Sequence, residues 1–281
     1  MASSKLMALG LIVVAVVAFA AGYFFAGGTK GEVKKETTWD IIKKRGYIVV
    51  ATSPDWPPFE FIDPKTNKLV GYEVDLMEAV AAKLGIKVKW KHMNFDSIIS
   101  AVKNKEVDLG VSGFSVTPKR LEEVLFTMPH VVTEVQLITT VEKAKSLGID
   151  KLKSLDEIAK YKMVVGTGSG TTEEDELMKL VKEGKVPSDL VRSFQDFELA
   201  LEALKKGDID AVYAETPVTT WWISTEKTPL TVIYRRSYWP VAWVAHKDSA
   251  ELVKHLDGAL AELFAEGKID QIRAKWGVTS G

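Results

Sequence analysis

The sequence predicts an α/β protein in which parallel sheets are covered by helices on both faces. Three observations carry that expectation. Strand-like runs alternate with amphipathic helices along most of the chain. The 253 residues that follow residue 28 of 281 suit two lobes. The composition, 46% hydrophobic and 27% charged, is that of ordinary globular protein.

Residues 1–28 form a separate object. Leu6–Gly28 runs for 23 residues without a charge, which at ~1.5 Å per residue gives about 34 Å of helix, enough to cross a bilayer core. A cleaved signal has a shorter apolar region of about 7–15 residues, although Ala18-Phe19-Ala20 resembles a cleavage site. A retained signal anchor with the bulk of the chain outside is expected, and a cleaved signal peptide is the alternative. Residues 29–45 read as a polar linker and a first helix.

Tyr47–Thr52 is a strand, followed by a proline-rich loop. Gly71–Leu84 is helical, with Met77, Val80, Ala81 and Leu84 on one face and Gly85 as its stop. Ile86, Val88 and Trp90 alternate as a strand, and Asp96 is expected to cap a helix carrying Ile98, Ala101 and Val102. Val107–Val111 is a buried strand, after which Thr117-Pro118 opens a helix. In the second half, Ser154 with Glu157 and Thr171 with Glu174 read as capping boxes. Lys162–Val165 and Ile209–Tyr213 read as strands, and Phe197, Ala200, Leu201 and Leu204 as a helix face stopped by Gly207. Thr216-Pro217 opens another helix. Two late strands, Thr231–Tyr234 and Val241–Ala245, precede a long helix with Leu252, Leu256, Ala259, Leu260 and Leu263 on one side, and a last helix ends at Trp276-Gly277.

Composition excludes several chemistries. Lys+Arg 37 against Asp+Glu 38 leaves no basic surplus for nucleic acid. The absence of cysteine removes disulfides, thiol catalysis and iron–sulfur clusters. His92, His130, His246 and His255 are dispersed without metal-ligand spacing, so neither metal nor cofactor is expected. The run Gly166-Thr-Gly-Ser-Gly170 fails both dinucleotide and P-loop spacing and reads as a strand–turn–helix junction with free N–H groups. Few Asn and Gln beside many Lys and Glu is a thermophile-like bias.

Three segments resist a purely structural reading. SPDWPPFEF (53–61) sets Trp56 in a stiff loop after the first strand. SGFSVTPKR (112–120) sets Ser115 at a strand end and Arg120 in a first helical turn, where the helix dipole disfavours a cation. AETP (214–217) sets Glu215 at another strand end. With LVGYEVDLMEAVAAKLG, VVGTGSGTT, GDIDAVYAETP and GKIDQIRAKWG in order, the chain resembles the family 3 solute-binding proteins, the polar amino-acid receptors of ABC importers, over roughly residues 46–277.

The resemblance implies a two-lobed, type II periplasmic-binding-protein (Venus-flytrap) fold with a discontinuous first lobe. Lobe 1 would comprise 46–133 and 237–277, and lobe 2 would comprise 134–236. It also implies a site. Arg120 would clamp a ligand carboxylate, Gly113, Ser115, Ser169, Gly170 and Thr171 would add backbone and hydroxyl partners, and Trp56 and Phe95 would wall the side chain. Glu215 would take the α-ammonium in place of the family's aspartate. The implied function is extracytoplasmic capture of a polar amino acid or similar zwitterion by lobe closure, and its delivery to a membrane permease. The receptor would be a monomer, held at the membrane by the N-terminal helix, and not an enzyme. A dehydratase-like enzyme on the same scaffold and a sensor ectodomain are the alternatives.

Overall fold

The structure, a computed structural model, describes residues 36–278 apart from the side chains of residues 237 and 238. The expected anchor over residues 1–28 lies outside the described residues, and among those described no helix is long and apolar enough to cross a membrane. In chain order the described strands are β1 Tyr47–Thr52, β2 Asp55–Trp56, β3 Glu60–Asp63, β4 Lys68–Val70, β5 Lys87–His92, β6 Leu109–Gly110, β7 Leu125–Phe126, β8 Val131–Thr140, β9 Val165–Gly168, β10 Val191–Phe194, β11 Ala211–Glu215, β12 Leu230–Val241 and β13 Val244–Ala245.

Two five-stranded sheets form the two lobes, ordered β5-β1-β6-β13-β7 and β10-β9-β11-β8-β12, and β2, β3 and β4 make a small third sheet. The expected all-parallel sheets are corrected to mixed ones. β1, β5 and β6 are mutually parallel, as are β9, β10 and β11, but β13, β8 and β12 join antiparallel. The reason is connectivity: β8 leaves the first lobe and β12 returns to it, paired to each other from Leu230↔Thr140 to Val241↔Val131. An antiparallel pair needs no crossover helix between its strands. β12 is therefore one long strand rather than the short Thr231–Tyr234, with register shifts between Val232 and Tyr234 and between Arg236 and Trp239. Pro240 is tolerated because β12 is a sheet edge.

Local signals placed most helices. Thr37 and Asp40 cap the helix Thr38–Arg45 reciprocally. Thr117 Oγ1 accepts from Arg120 N at 3.2 Å, with Pro118 at the helix start. Gly85 and Gly207 end their helices in the left-handed conformation. Three expectations shift. Asn94, not Asp96, is the N-cap of Phe95–Lys103. Ser154 does not cap Glu157–Lys160, whose N-cap is Asp156. The strand expected at Lys162 begins at Val165 because Lys162 itself turns with φ of 51°. Thr171 caps Thr172–Lys182, yet Glu174 reaches back to Gly170 N rather than to the cap's own N–H, so the box is not closed.

Each sheet is packed on both faces. In the first lobe Ile48, Val50, Leu76, Met77, Trp243 and Leu256 form one core and Ile98, Val102, Phe114 and Val244 another. In the second, Leu137, Ile158, Val165 and Tyr213 oppose Phe197, Leu201, Val212 and Trp222 across the sheet. Burial of these faces fixes where β1, β6, β9 and β11 end, and their carboxyl ends all open onto one cleft, as α/β sheets dispose their sites.

Candidate functional site

A pocket of about 350 Å³, counting the part open to solvent, lies in the cleft between the lobes. From the first lobe it is lined by Trp56, Phe95, Ser115 and Arg120, and from the second by Thr171 and Glu215. The predicted residues thus converge, with two exceptions. Ser169 and Gly170 sit at the rim, outside the lining.

Arg120 is 7% exposed. Its Nη1 donates to Ser115 O at 3.1 Å, and its Nη2 crosses the cleft to Gly170 O at 3.0 Å. The guanidinium carbon lies 5.5 Å from the Phe95 ring centroid and 5.4 Å from that of Phe114, and these two rings stack at 4.7 Å. Burial lowers the Arg120 pKa, and the charges of Glu173 and Glu215 act against that. Both hydrogen bonds go to neutral carbonyls, so the cation has no carboxylate ion-pair partner among the described residues.

Glu215 is buried at the end of β11. Ser115 Oγ donates to its Oε1 at 2.6 Å and Thr133 Oγ1 to its Oε2 at 2.7 Å. Burial, and then the nearby Glu173 charge, push the carboxyl up to about 8 against those two donors. Trp56 stacks on Phe197 of the second lobe at 6.3 Å and 9°. It also fills the space above Gly113, where an added Cβ would lie 1.4 Å from Trp56 Cζ3.

The expected roles of three backbone groups are revised. Gly113 N donates to Glu73 Oε2 at 2.6 Å, behind the cleft wall. Gly170 N donates to Glu174 Oε2 at 2.8 Å, and Ser169 N to Phe194 O at 2.8 Å. All three N–H groups are committed within their own lobes. Ser169 Oγ instead donates across the rim to Asp96 Oδ2 at 3.1 Å.

Sequence reasoning did not assign Asp55, Ser112, Thr172, Glu173 or Phe197 to the lining. Glu173 is 3% exposed and its Oε1 has no hydrogen-bond partner. Burial raises its pKa. Its signal was available: it lies two residues beyond the cap Thr171, in a first turn that starts at a strand's carboxyl end. Asp55 Oδ2 accepts from Phe197 N at 3.0 Å, another contact across the lobes, and burial raises its pKa also. One guanidinium therefore faces three carboxyl groups, the polarity a cation-rich zwitterion would complement. Among the described residues no group of three or more side chains could hold a metal ion.

Residues 48–279 match the bacterial extracellular solute-binding proteins, family 3. The chain is 27% identical over 235 residues to the ABC transporter arginine-binding protein 1 of Escherichia coli, covering 82% of this chain and 90% of the relative. Among solved structures, an ancestral arginine-binding protein bound to arginine superposes with a TM-score of 0.74 at 31% identity, over 83% of this chain and 98% of that one. An ancestral amino acid-binding protein, a precursor of cyclohexadienyl dehydratase, superposes with a TM-score of 0.75 at 27% identity, over 85% and 99% of the two chains.

Proposed function

The chain belongs to the family 3 bacterial extracellular solute-binding proteins, and on that premise we propose that it captures a polar amino acid between its lobes and delivers it to the permease of an ABC importer. The observation that carries the reading is Arg120, a buried guanidinium set against a stacked pair of rings and, among the described residues, hydrogen-bonded only to carbonyls. A ligand carboxylate supplies the anion that this cation lacks, and the planar fork binds it bidentately. Ser115 adds a hydroxyl. Glu215 and the unpartnered Glu173 Oε1 accept from the α-ammonium. Asp55, Trp56 and Phe197 face the ligand side chain, and Phe95 backs the guanidinium.

Three carboxyl groups around one cation favour a ligand with a second positive charge, in keeping with the arginine-binding relative. Lobe 1 comprises 46–133 and 237–277, and lobe 2 comprises 134–236. Thr171 caps the second-lobe wall, while Ser169 and Gly170 latch the rim. The protein acts as a monomeric receptor at the outer face of the membrane, anchored through residues 1–28.

A thermal-shift screen of the common amino acids on residues 36–281, followed by calorimetry, tests this. Arginine, lysine or histidine should stabilise the protein most, and the recovered ligand should be chemically unchanged. Failure of every amino acid to shift the melting temperature would overturn the reading. A product appearing in the solution would move the protein to the enzyme class, for which the raised Glu215 carboxyl in a closed cleft is the one favouring observation.

A further inference from the structure

The second-lobe helix Phe197–Lys206 begins at the cleft, and three first-lobe side chains hold its start. Asn94 Nδ2 donates to Gln195 Oε1 at 3.1 Å, Asp55 Oδ2 accepts from Phe197 N at 3.0 Å, and the Trp56 ring stacks on that of Phe197 at 6.3 Å. The first N–H groups of a helix have no partner within it. Asp196, the helix's own cap, accepts from Glu198 N at 2.7 Å, which leaves Phe197 N to be met from outside the lobe. That N–H is buried where the lobes meet. Bringing the lobes together over an unmet donor would cost it its water, and a carboxylate from the opposite lobe removes that cost. A negative charge also suits the positive end of the helix dipole.

Asp55 is held in place from its own side of the cleft. It pairs with Phe61 in the ladder of β2 and β3, Ser53 Oγ donates to its Oδ1 at 2.7 Å, and Ser53 N in turn donates to Ser112 Oγ at 3.0 Å. All of these partners belong to the first lobe. Both oxygens of Asp55 therefore have protein donors, one from each lobe, whereas Glu173 Oε1 in the same lining has none.

We propose that Asp55 is the clasp of the cleft, a cap supplied by one lobe to a helix of the other, which favours the closed arrangement whatever solute lies inside. In this role it is a positioning residue, acting through Phe197 rather than through the charge of the solute. Its effect on affinity rests on the receptor function proposed above, but the contact itself is readable without solute. An open cleft leaves Phe197 N to water, so loss of the cap shortens the closed lifetime and shows in dissociation more than in association.

Hydrogen exchange of the solute-free full chain, read by mass spectrometry over residues 196–199, should be faster by about threefold or more in Asp55→Ala. Asp55→Asn keeps an acceptor for Phe197 N, since asparagine caps helices about as well as aspartate, and should restore most of the protection. Glutamine, whose side chain carries no charge, should bind Asp55→Ala about tenfold more weakly than the parent, through faster dissociation. Parental exchange in Asp55→Ala overturns the proposal, and so does exchange in Asp55→Asn as fast as in Asp55→Ala. Parental glutamine affinity in Asp55→Ala also overturns it, since Asp55 would then act only on a charged solute. Should the alanine variant not fold, or the parent not take up glutamine, solute-free exchange of Asp55→Asn against the parent decides, and loss of its protection overturns the proposal.

Discussion

Ser115 and Glu215 stand on opposite lobes and are joined by a hydrogen bond, Ser115 Oγ to Glu215 Oε1 at 2.6 Å. The acceptor assigned to a ligand's ammonium is thus already part of the contact that links the lobes, and burial keeps its carboxyl up to about 8. A cation arriving there lowers that pKa and drives the proton off.

The first prediction follows from this linkage. In the unfolded chain the Glu215 carboxyl titrates near its ordinary 4.5, and in the folded chain near 8. The folded state therefore holds the extra proton between those values. The stability it contributes is complete below about 4.5 and is lost as pH rises through about 8. Burial raises Glu173 and Asp55 in the same direction. The melting temperature of the protein without solute should fall between about pH 5 and pH 8, and Glu215→Gln should flatten that slope. Calorimetry in buffers of different ionisation enthalpy should show proton release when an amino acid binds near pH 7. Proton uptake there would contradict the assignment.

Arg120→Ala should abolish amino-acid binding. Removing one partner of a buried charge pair costs ~2–5 kcal/mol, about 30- to several thousand-fold in affinity. Arg120→Lys should be nearly as damaging, because an ammonium has no fork and would not bridge Ser115 O and Gly170 O. Isothermal titration decides, and parental affinity in the alanine variant would place the site elsewhere.

Gly113→Ala should weaken both the fold and the site. Its φ of 58° is strained for any side chain, at about 1–3 kcal/mol, and the new methyl would lie 1.4 Å from the Trp56 ring. Thermal melts and titration should show a lower melting temperature together with reduced affinity. Loss of one without the other would separate Trp56 from the ligand wall.

Solute should compact the protein. Asp55 holds Phe197 N and Arg120 holds Gly170 O across the cleft, contacts that bound ligand would reinforce by hinge closure. Small-angle scattering should record a smaller radius of gyration at saturation, and an unchanged value would argue against closure on binding.

The N-terminal segment should be retained. Mass spectrometry of native protein should find peptides upstream of Ala21, given the uncharged run Leu6–Gly28. A mature N-terminus at Ala21 or later would mean a cleaved, freely diffusing receptor.

Much of this was legible in short stretches of sequence. Tyr47–Thr52 emerged with its observed bounds because Gly46 and the proline loop delimit an apolar run. Arg120 stood out because a cation in the first turn after Thr117-Pro118 has no local reason to be there. What stayed hidden depends on contacts remote in sequence. Glu173 looked like one more helix-surface acid until the opposite lobe covered it. The N–H of Gly113 looked free because nothing local shows that Glu73, 40 residues earlier, takes it. The unity of β12 was masked by Pro240 and by two register shifts, which interrupt alternation without ending the strand.

Val131 and Val241 are partners in register, one at the start of β8 and the other at the end of β12. The chain thus leaves for the second sheet and comes back at neighbouring points, and everything between is a cassette with a single doorway. A short turn in place of the intervening residues would reconnect the first sheet without disturbing its strand order. Conversely, the cassette could be carried into an exposed hairpin of another host, taking its half of the cleft with it.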